Sequence, residues 1–187
     1  AEPSLAGLCD ETVRTRPHLF SATAVFISRE QFNRVVSLIS VVENVVSLPG
    51  YRESALARAP RAAQTDPGPL GVFLGYDFHL ASRGPQLIEI NTNAGGALLN
   101  TVLARSQQAC CREMVSDFQP TADLHNLEQT FFKMFSEEWR RQRGEAPLGR
   151  VAIVDDDPAA QYLYPEIRLF ERMFARCATW AGHVFVA

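Results

Sequence analysis

The chain has 187 residues, 47% of them hydrophobic and 21% charged, with a formal net charge of −3 and an isoelectric point near 5.8. That apolar content is enough for a real core, and the weakly acidic balance excludes general electrostatic attraction to nucleic acid or an anionic membrane. No run of eighteen apolar residues occurs, and the amino terminus AEPSLAGLCDETVRTRP lacks the charged-then-apolar order of a signal peptide, so a cytoplasmic location is expected.

Residues 1–20 are mixed in character and read as irregular, followed by a short strand at Ala22–Ile27. Ser28 and Gln31 form a capping-box pattern that opens a helix to about Leu48. Phe32, Val35, Val36, Ile39, Val42, Val45 and Val46 share one face of it, and Pro49-Gly50 is expected to stop it. A short helix at Tyr51–Ala59 then leads into the connector APRAAQTDPGP, which reads as a surface loop; a mobile loop over a site is the alternative.

The next stretch, GVFLGYDFHLASRGPQLIEINTNAGG, carries the chemistry. Residues 72–80 and 86–91 are rich in aromatic and β-branched side chains, and Ser82, Arg83 and Gly84 supply a turn, so a β-hairpin is expected. Symmetry about Arg83 sets Asp77 opposite Glu89. Because side chains alternate faces along a strand, Tyr76, Phe78, Leu80, Ile88 and Ile90 share a buried face, while Gly75, Asp77, His79, Glu89 and Asn91 share the other. Like charges opposed across a ladder are destabilising by roughly 0.2–1 kcal/mol, which a hard cation would relieve, with Asn91 adding a neutral oxygen. Mg²⁺ or Mn²⁺ held by Asp77, Glu89 and Asn91 is therefore one reading; a solvated outer face is the other. Beyond it, Asn91–Gly96 is a small, turn-prone loop opening onto a helix over Ala97–Met114, and a helix N-terminus favours phosphate or carboxylate.

Asp77, then Glu89-Ile90-Asn91, then a small-residue loop with glycine resembles the metal-binding end of the ATP-grasp superfamily, whose enzymes join a carboxylate to an amine or thiol using ATP. The wording GYDFHL…LIEINTNAGG is similar to poorly characterised bacterial proteins of the glutathione-synthetase-like branch. The resemblance implies Asp77, Glu89 and Asn91 as ligands of the magnesium that bridges nucleotide phosphates, with Asn93, Gly95 and Gly96 near phosphates or the acceptor substrate. It implies ATP as co-substrate, small-molecule carboxylate and amine or thiol substrates, and reaction through an acyl phosphate. Two departures matter. Gly75 stands where many relatives carry arginine, and Lys133 is the only lysine among the 18 basic residues, whereas the family uses lysines on the phosphates.

After Phe118-Gln119-Pro120, an amphipathic helix is expected over Asp123–Arg143, its Leu124, Leu127, Phe131, Met134, Phe135 and Trp139 read as core and its closing arginines as favourable at a helix C-terminus. Arg150–Val154 reads as a buried strand, followed by Asp155, Asp156 and Asp157, a helix over Ala159–Arg176 and a strand at His183–Ala187. The three aspartates read as helix caps or as a second site. The order β, α, β is the start of a parallel open sheet.

The expected fold class is thus α/β: a hairpin region followed by the beginning of a Rossmann-like sheet, in a partial ATP-grasp-like architecture similar to circularly permuted members. The expected regions are 1–118, with the hairpin and its following helix, and 119–187, the start of a truncated substrate domain. Ending on a second strand, the chain reads as part of a longer protein or a truncated form, and its exposed sheet edges make a homo-oligomer one outcome. Cys9, Cys110, Cys111 and Cys177 lack metal or disulfide spacing and read as reduced thiols. His18, His125 and His183 have no partners at ligand spacing, and no GxSxG, P-loop or GxGxxG pattern offers another chemistry, so no catalytic side chain is assigned. The expected function is the magnesium-binding part of an ATP-dependent carboxylate–amine or carboxylate–thiol ligase; the alternative is a non-catalytic module that keeps the scaffold and binds a metabolite or a protein.

Overall fold

The computed structural model describes residues 5–21, 23, 25–110, 126–177 and 183–186. They form a mixed α/β chain in the order α1 (Leu5–Thr15), α2 (Arg29–Val46), α3 (Pro49–Leu56), β1 (Gly75–Ala81), β2 (Gly84–Asn91), α4 (Ala97–Cys110), α5 (Leu127–Arg143), β3 (Arg150–Ile153), α6 (Tyr164–Cys177) and β4 (His183–Val186). Two compact units result, residues 23–93 and residues 1–22 with 94–187. The boundary expected near residue 118 lies outside the described residues. No helix among them is long and apolar enough to cross a membrane.

The unit of residues 23–93 is built on local signals. The Ser28 hydroxyl accepts from the Gln31 amide at 3.1 Å, and the Gln31 side chain accepts from the Ser28 amide at 3.0 Å, so the capping box starts α2 as expected. Pro49 does not simply stop that helix. It is the first residue of α3, where its missing N–H costs nothing. The strand expected at Ala22–Ile27 is absent from its described residues, and Val25, Phe26 and Ile27 are exposed. Apolar and β-branched propensity alone does not make a strand. Within the unit α2 packs against β2, yet no described side chain of residues 23–93 is fully buried.

The other unit holds the core, and α6 is its hub. Met173 and Phe174, 1% and 3% exposed, pack with Leu98 of α4 against Phe131, Phe132 and Phe135 of α5, Val151 of β3, and Leu169 and Phe170. The Phe174 ring meets Phe135 edge-on at 5.1 Å and Phe132 at 6.1 Å, a geometry aromatic quadrupoles favour. Of the expected α5 stripe, Phe131 and Phe135 pack on the core, joined by Phe132, whereas Leu127, Met134 and Trp139 are not among the residues packed on that cluster and Leu124 lies outside the described residues. Around this core Glu128 of α5 accepts from Arg105 of α4 at 2.8 Å and Arg176 of α6 at 3.4 Å. β3 and β4 pair in parallel, Arg150 opposite His183 and Ile153 opposite Val186, with α6 between them in sequence, so the expected β–α–β order is present.

Two expectations are corrected here. Residues 5–15, read as irregular, are helical, with the buried Thr12 hydroxyl donating to the Leu8 carbonyl at 2.7 Å and Arg16 donating from Nε to the Tyr162 carbonyl at 2.9 Å. The helix expected to start at Ala159 begins at Tyr164, because Pro158–Ala160 forms a separate 3₁₀ turn that ends in extended Gln161.

Phe174→Ala should destabilise the unit by about 3–5 kcal/mol, read from denaturant unfolding, because it removes a ring held by three other aromatics. Native-state hydrogen exchange should show the amides of α6 opening at markedly higher free energy than those of α2 and the hairpin, since the unit lacking buried side chains has the less protected backbone. Equal protection would contradict that division.

Candidate metal centre

The hairpin reverses through Ser82 and Arg83. No described non-glycine residue has positive φ, so the primed two-residue turns are not used, and Gly84 takes the left-handed conformation instead at φ +117°. Pairing then runs Ala81 to Gly84, Leu80 to Pro85, His79 to Gln86 and Phe78 to Leu87. This register is one residue away from symmetry about Arg83. A bulge between Asp77 and Phe78 takes up the difference at Ile88, so that Asp77 faces Glu89, Tyr76 faces Ile90 and Gly75 faces Asn91.

The expected opposition of the two acids is therefore present, but by another route, and the expected buried face is not: Leu80 and Ile90 are each 39% exposed, and only Tyr76 and Phe78 of that set are half-buried. Ile88, expected on the buried face, is the extra residue of the bulge and is 65% exposed; Leu87 stands opposite Phe78 in its place. A bulge residue has no partner across the ladder and need not keep the alternation of its strand.

Asp77, Glu89 and Asn91 are all exposed and share one face. The Asn91 amide nitrogen donates to Glu89 Oε1 at 2.9 Å and lies 3.4 Å from Asp77 Oδ2, so the three predicted ligands are brought together. That amide offsets part of the repulsion between the carboxylates. Rotation about its terminal bond would turn the oxygen inward and change the set from two acceptors and a donor to three acceptors. Among the described residues no group of three His, Cys, Asp or Glu side chains is gathered for a metal, which leaves this all-oxygen set. It fits a hard cation that retains several waters better than zinc, whose sites are built chiefly on nitrogen and sulfur. His79 follows Asp77 on the same face, opposite Gln86.

The hairpin is tied to α2 by Tyr76, whose hydroxyl donates to the Glu43 carboxylate in a short hydrogen bond. That bond, and secondarily burial, pushes the tyrosine pKa above its ordinary value. A raised folded pKa means the contact contributes its full stability below the ordinary tyrosine range and loses it as pH rises through the folded value. The tie is intact at neutral pH.

The remaining predicted residues are placed differently. Asn93 is exposed and ends the unit of the hairpin, whereas Gly95 and Gly96 belong to the other unit. There the Gly96 amide donates to Glu166 Oε2 in a short bond, and the Leu98 amide donates to Glu166 Oε1 at 2.9 Å. Glu166, in the first turn of α6, is only 4% exposed. Taking a carboxylate out of water costs several kcal/mol unless it is well bonded, and the first amides of α4 bond both its oxygens. A Cβ on Gly95 would lie 2.8 Å from the Leu163 side chain, and Gly96 sits at φ +99°, so both glycines serve this close approach. The pairing spans 70 residues, and the only sequence signal for it was an acid at the start of one helix and a glycine turn at the start of another.

Of the three aspartates after β3, Asp155 Oδ1 accepts from the Asp156 amide at 2.8 Å and from Gln161 at 3.2 Å, while Asp157 precedes the 3₁₀ turn without a side-chain cap bond. Lys133 is exposed on α5. Cys111 and His125 lie outside the described residues, as do the side chains of Cys110 and His183.

No family model, curated protein or solved structure matches the chain.

Proposed function

We propose that this chain contributes a magnesium- or manganese-binding hairpin to an ATP-dependent carboxylate–amine or carboxylate–thiol ligase. The observation that carries the reading is Asp77 opposite Glu89 with the Asn91 amide reaching both. A fold that opposes two carboxylates on an exposed ladder, and inserts a bulge that restores their opposition, keeps negative charge where nothing else in the hairpin uses it. Asp77 and Glu89 would hold the cation and Asn91 would supply a neutral third oxygen. When bound, the ion would neutralise charge on nucleotide phosphates, the part of phosphoryl transfer that proteins assist most by electrostatics. The hairpin's own contribution is to fix the two carboxylates in register and, through Tyr76 and Glu43, to hold that register against α2.

The second reading is a non-catalytic module that retains the scaffold and binds a metabolite or a protein. Gly75 in place of a cation, together with Lys133 as the only lysine, favours it. Nucleotide binding separates the two.

Titration of the chain with Mn²⁺, followed by loss of the free-ion paramagnetic resonance signal, should give saturable binding that Asp77→Asn or Glu89→Gln weakens by about tenfold or more. With ATP present the ligase reading expects tighter joint binding, and the module reading expects none. In metal-free protein Asp77→Asn should raise stability by up to about 1 kcal/mol, since it removes the like-charge pair. Mn²⁺ affinity unchanged in both variants would refute the site.

A further inference from the structure

We infer that the unit holding the core carries a binding site for a small uncharged apolar molecule, such as a substituted benzene, in a cavity of about 220 Å³ bounded by α1, α4 and α6. The site is independent of the proposed metal centre, whose residues all belong to the other unit.

The cavity follows from the pitch of α1. Leu8 and Thr12, 8% and 4% exposed, stand a turn apart and form the ridge that this helix buries. Cys9 and Val13 lie about 100° further round the axis, so they overhang the space beside the ridge instead of filling it. Leu99, Val102 and Leu103 of α4 and Leu169 of α6 close the other sides, and the mouth is at Val13, which is 63% exposed. Among the described residues no charged side chain lines the space. The two hydroxyls in its wall are turned back on their own helices: Thr12 Oγ1 donates to the Leu8 carbonyl at 2.7 Å, and Ser106 Oγ to the Val102 carbonyl at 2.9 Å. With both hydroxyl protons used, the wall offers a ligand apolar contact and little else. Burial, and secondarily the charge of Asp10, pushes the Cys9 thiol pKa up, as expected beside a space poor in water.

A void of this kind shrinks where its walls can relax, and here α1 is not free to move inward. Arg16, just beyond the helix, donates from Nε to the Tyr162 carbonyl at 2.9 Å and from Nη2 to the carbonyls of Gln161 at 3.0 Å and Ala159 at 3.3 Å. Its guanidinium also lies 5.8 Å from the centroid of the Tyr164 ring. These contacts fix one end of α1, and the buried ridge fixes its middle, so the cavity is held open by contacts that do not fill it. An apolar cavity of about 150 Å³ stays dry and accepts benzene, whereas a water molecule needs about two to four polar partners that this wall does not offer. A ring entering the space restores dispersion contacts to its lining and desolvates no polar group of the protein. An ion of the same shape would lose its hydration with nothing to replace it, so charge is the property the site rejects.

The test titrates the full chain, ¹³C-labelled at leucine and valine methyls, with toluene. The methyl resonances of Leu99, Val102, Leu103 and Leu169 should shift saturably with a Kd of about 1 mM or tighter, while those of Val41 and Leu87, exposed in the other unit, stay in place. Benzoate, the same ring bearing a carboxylate, should bind at least about tenfold more weakly. Cys9→Leu and Val102→Phe each put bulk into the cavity and should weaken toluene binding at least about tenfold; if one of them loses spectral dispersion, the other carries the comparison. The inference is overturned if the lining methyls show no saturable shift up to about 5 mM toluene, or if Val41 and Leu87 respond equally. Benzoate binding as tightly as toluene, or toluene binding undiminished in a folded variant, would overturn it as well.

Discussion

One buried carboxylate sets terms for much of the larger unit. Glu166 is tolerable at 4% exposure only because both its oxygens are bonded by the first amides of α4. Those bonds fix where α6 begins relative to α4, and with that fixed, Met173, Phe174 and Leu98 fall into one cluster that the α5 phenylalanines complete. β3 and β4 pack on the same helix. A polar contact at one end of α6 and an apolar cluster further along thus specify the same packing, which is how a small core acquires a single arrangement.

The hairpin solves a different problem with fewer resources. Among its described residues its unit has no fully buried side chain, so its register rests on the ladder, on the packing of α2 against β2, and on the short Tyr76–Glu43 bond. A one-residue slip would move Asp77 from Glu89 to an apolar neighbour. The bulge at Ile88 prevents that slip from being neutral: it is the feature through which a two-residue turn and an Asp77–Glu89 pair coexist. Weak burial and a fixed polar pair are the usual combination where a surface element must adjust to a ligand.

What the sequence disclosed follows the range of the interactions. The capping box from Ser28 to Gln31 spans only four residues and was legible outright. The opposition of Asp77 and Glu89 was legible from the hairpin pattern, though the face expected to be buried is exposed at Leu80, Ile88 and Ile90, and the β–α–β order at the end of the chain was legible as well. Ile88 escaped because a bulge breaks the alternation from which the face was read. Leu5–Thr15 escaped although Leu8 and Thr12 stand a helical turn apart, because charged residues crowd so short a run and its support comes from Arg16 reaching carbonyls some 145 residues away. Glu166 could not be read at all, since nothing near it in the chain announces a partner 70 residues back.

Glu166 and the Asp77–Glu89 pair end in opposite electrostatic states, and that contrast bears on where a cation or an anion can act. The negative charge of Glu166 is met inside the fold by two amides and the dipole of α4, so that end neither attracts a metal nor offers an open amide to a phosphate. The charges of Asp77 and Glu89 are met by one neutral amide and water. The hairpin therefore keeps a residual negative field, which attracts cations and repels phosphates. On the proposed reading a nucleotide reaches this chain only through a metal ion, which makes the order of binding a consequence of charge: the cation first or together with the phosphates, and the phosphates alone not at all.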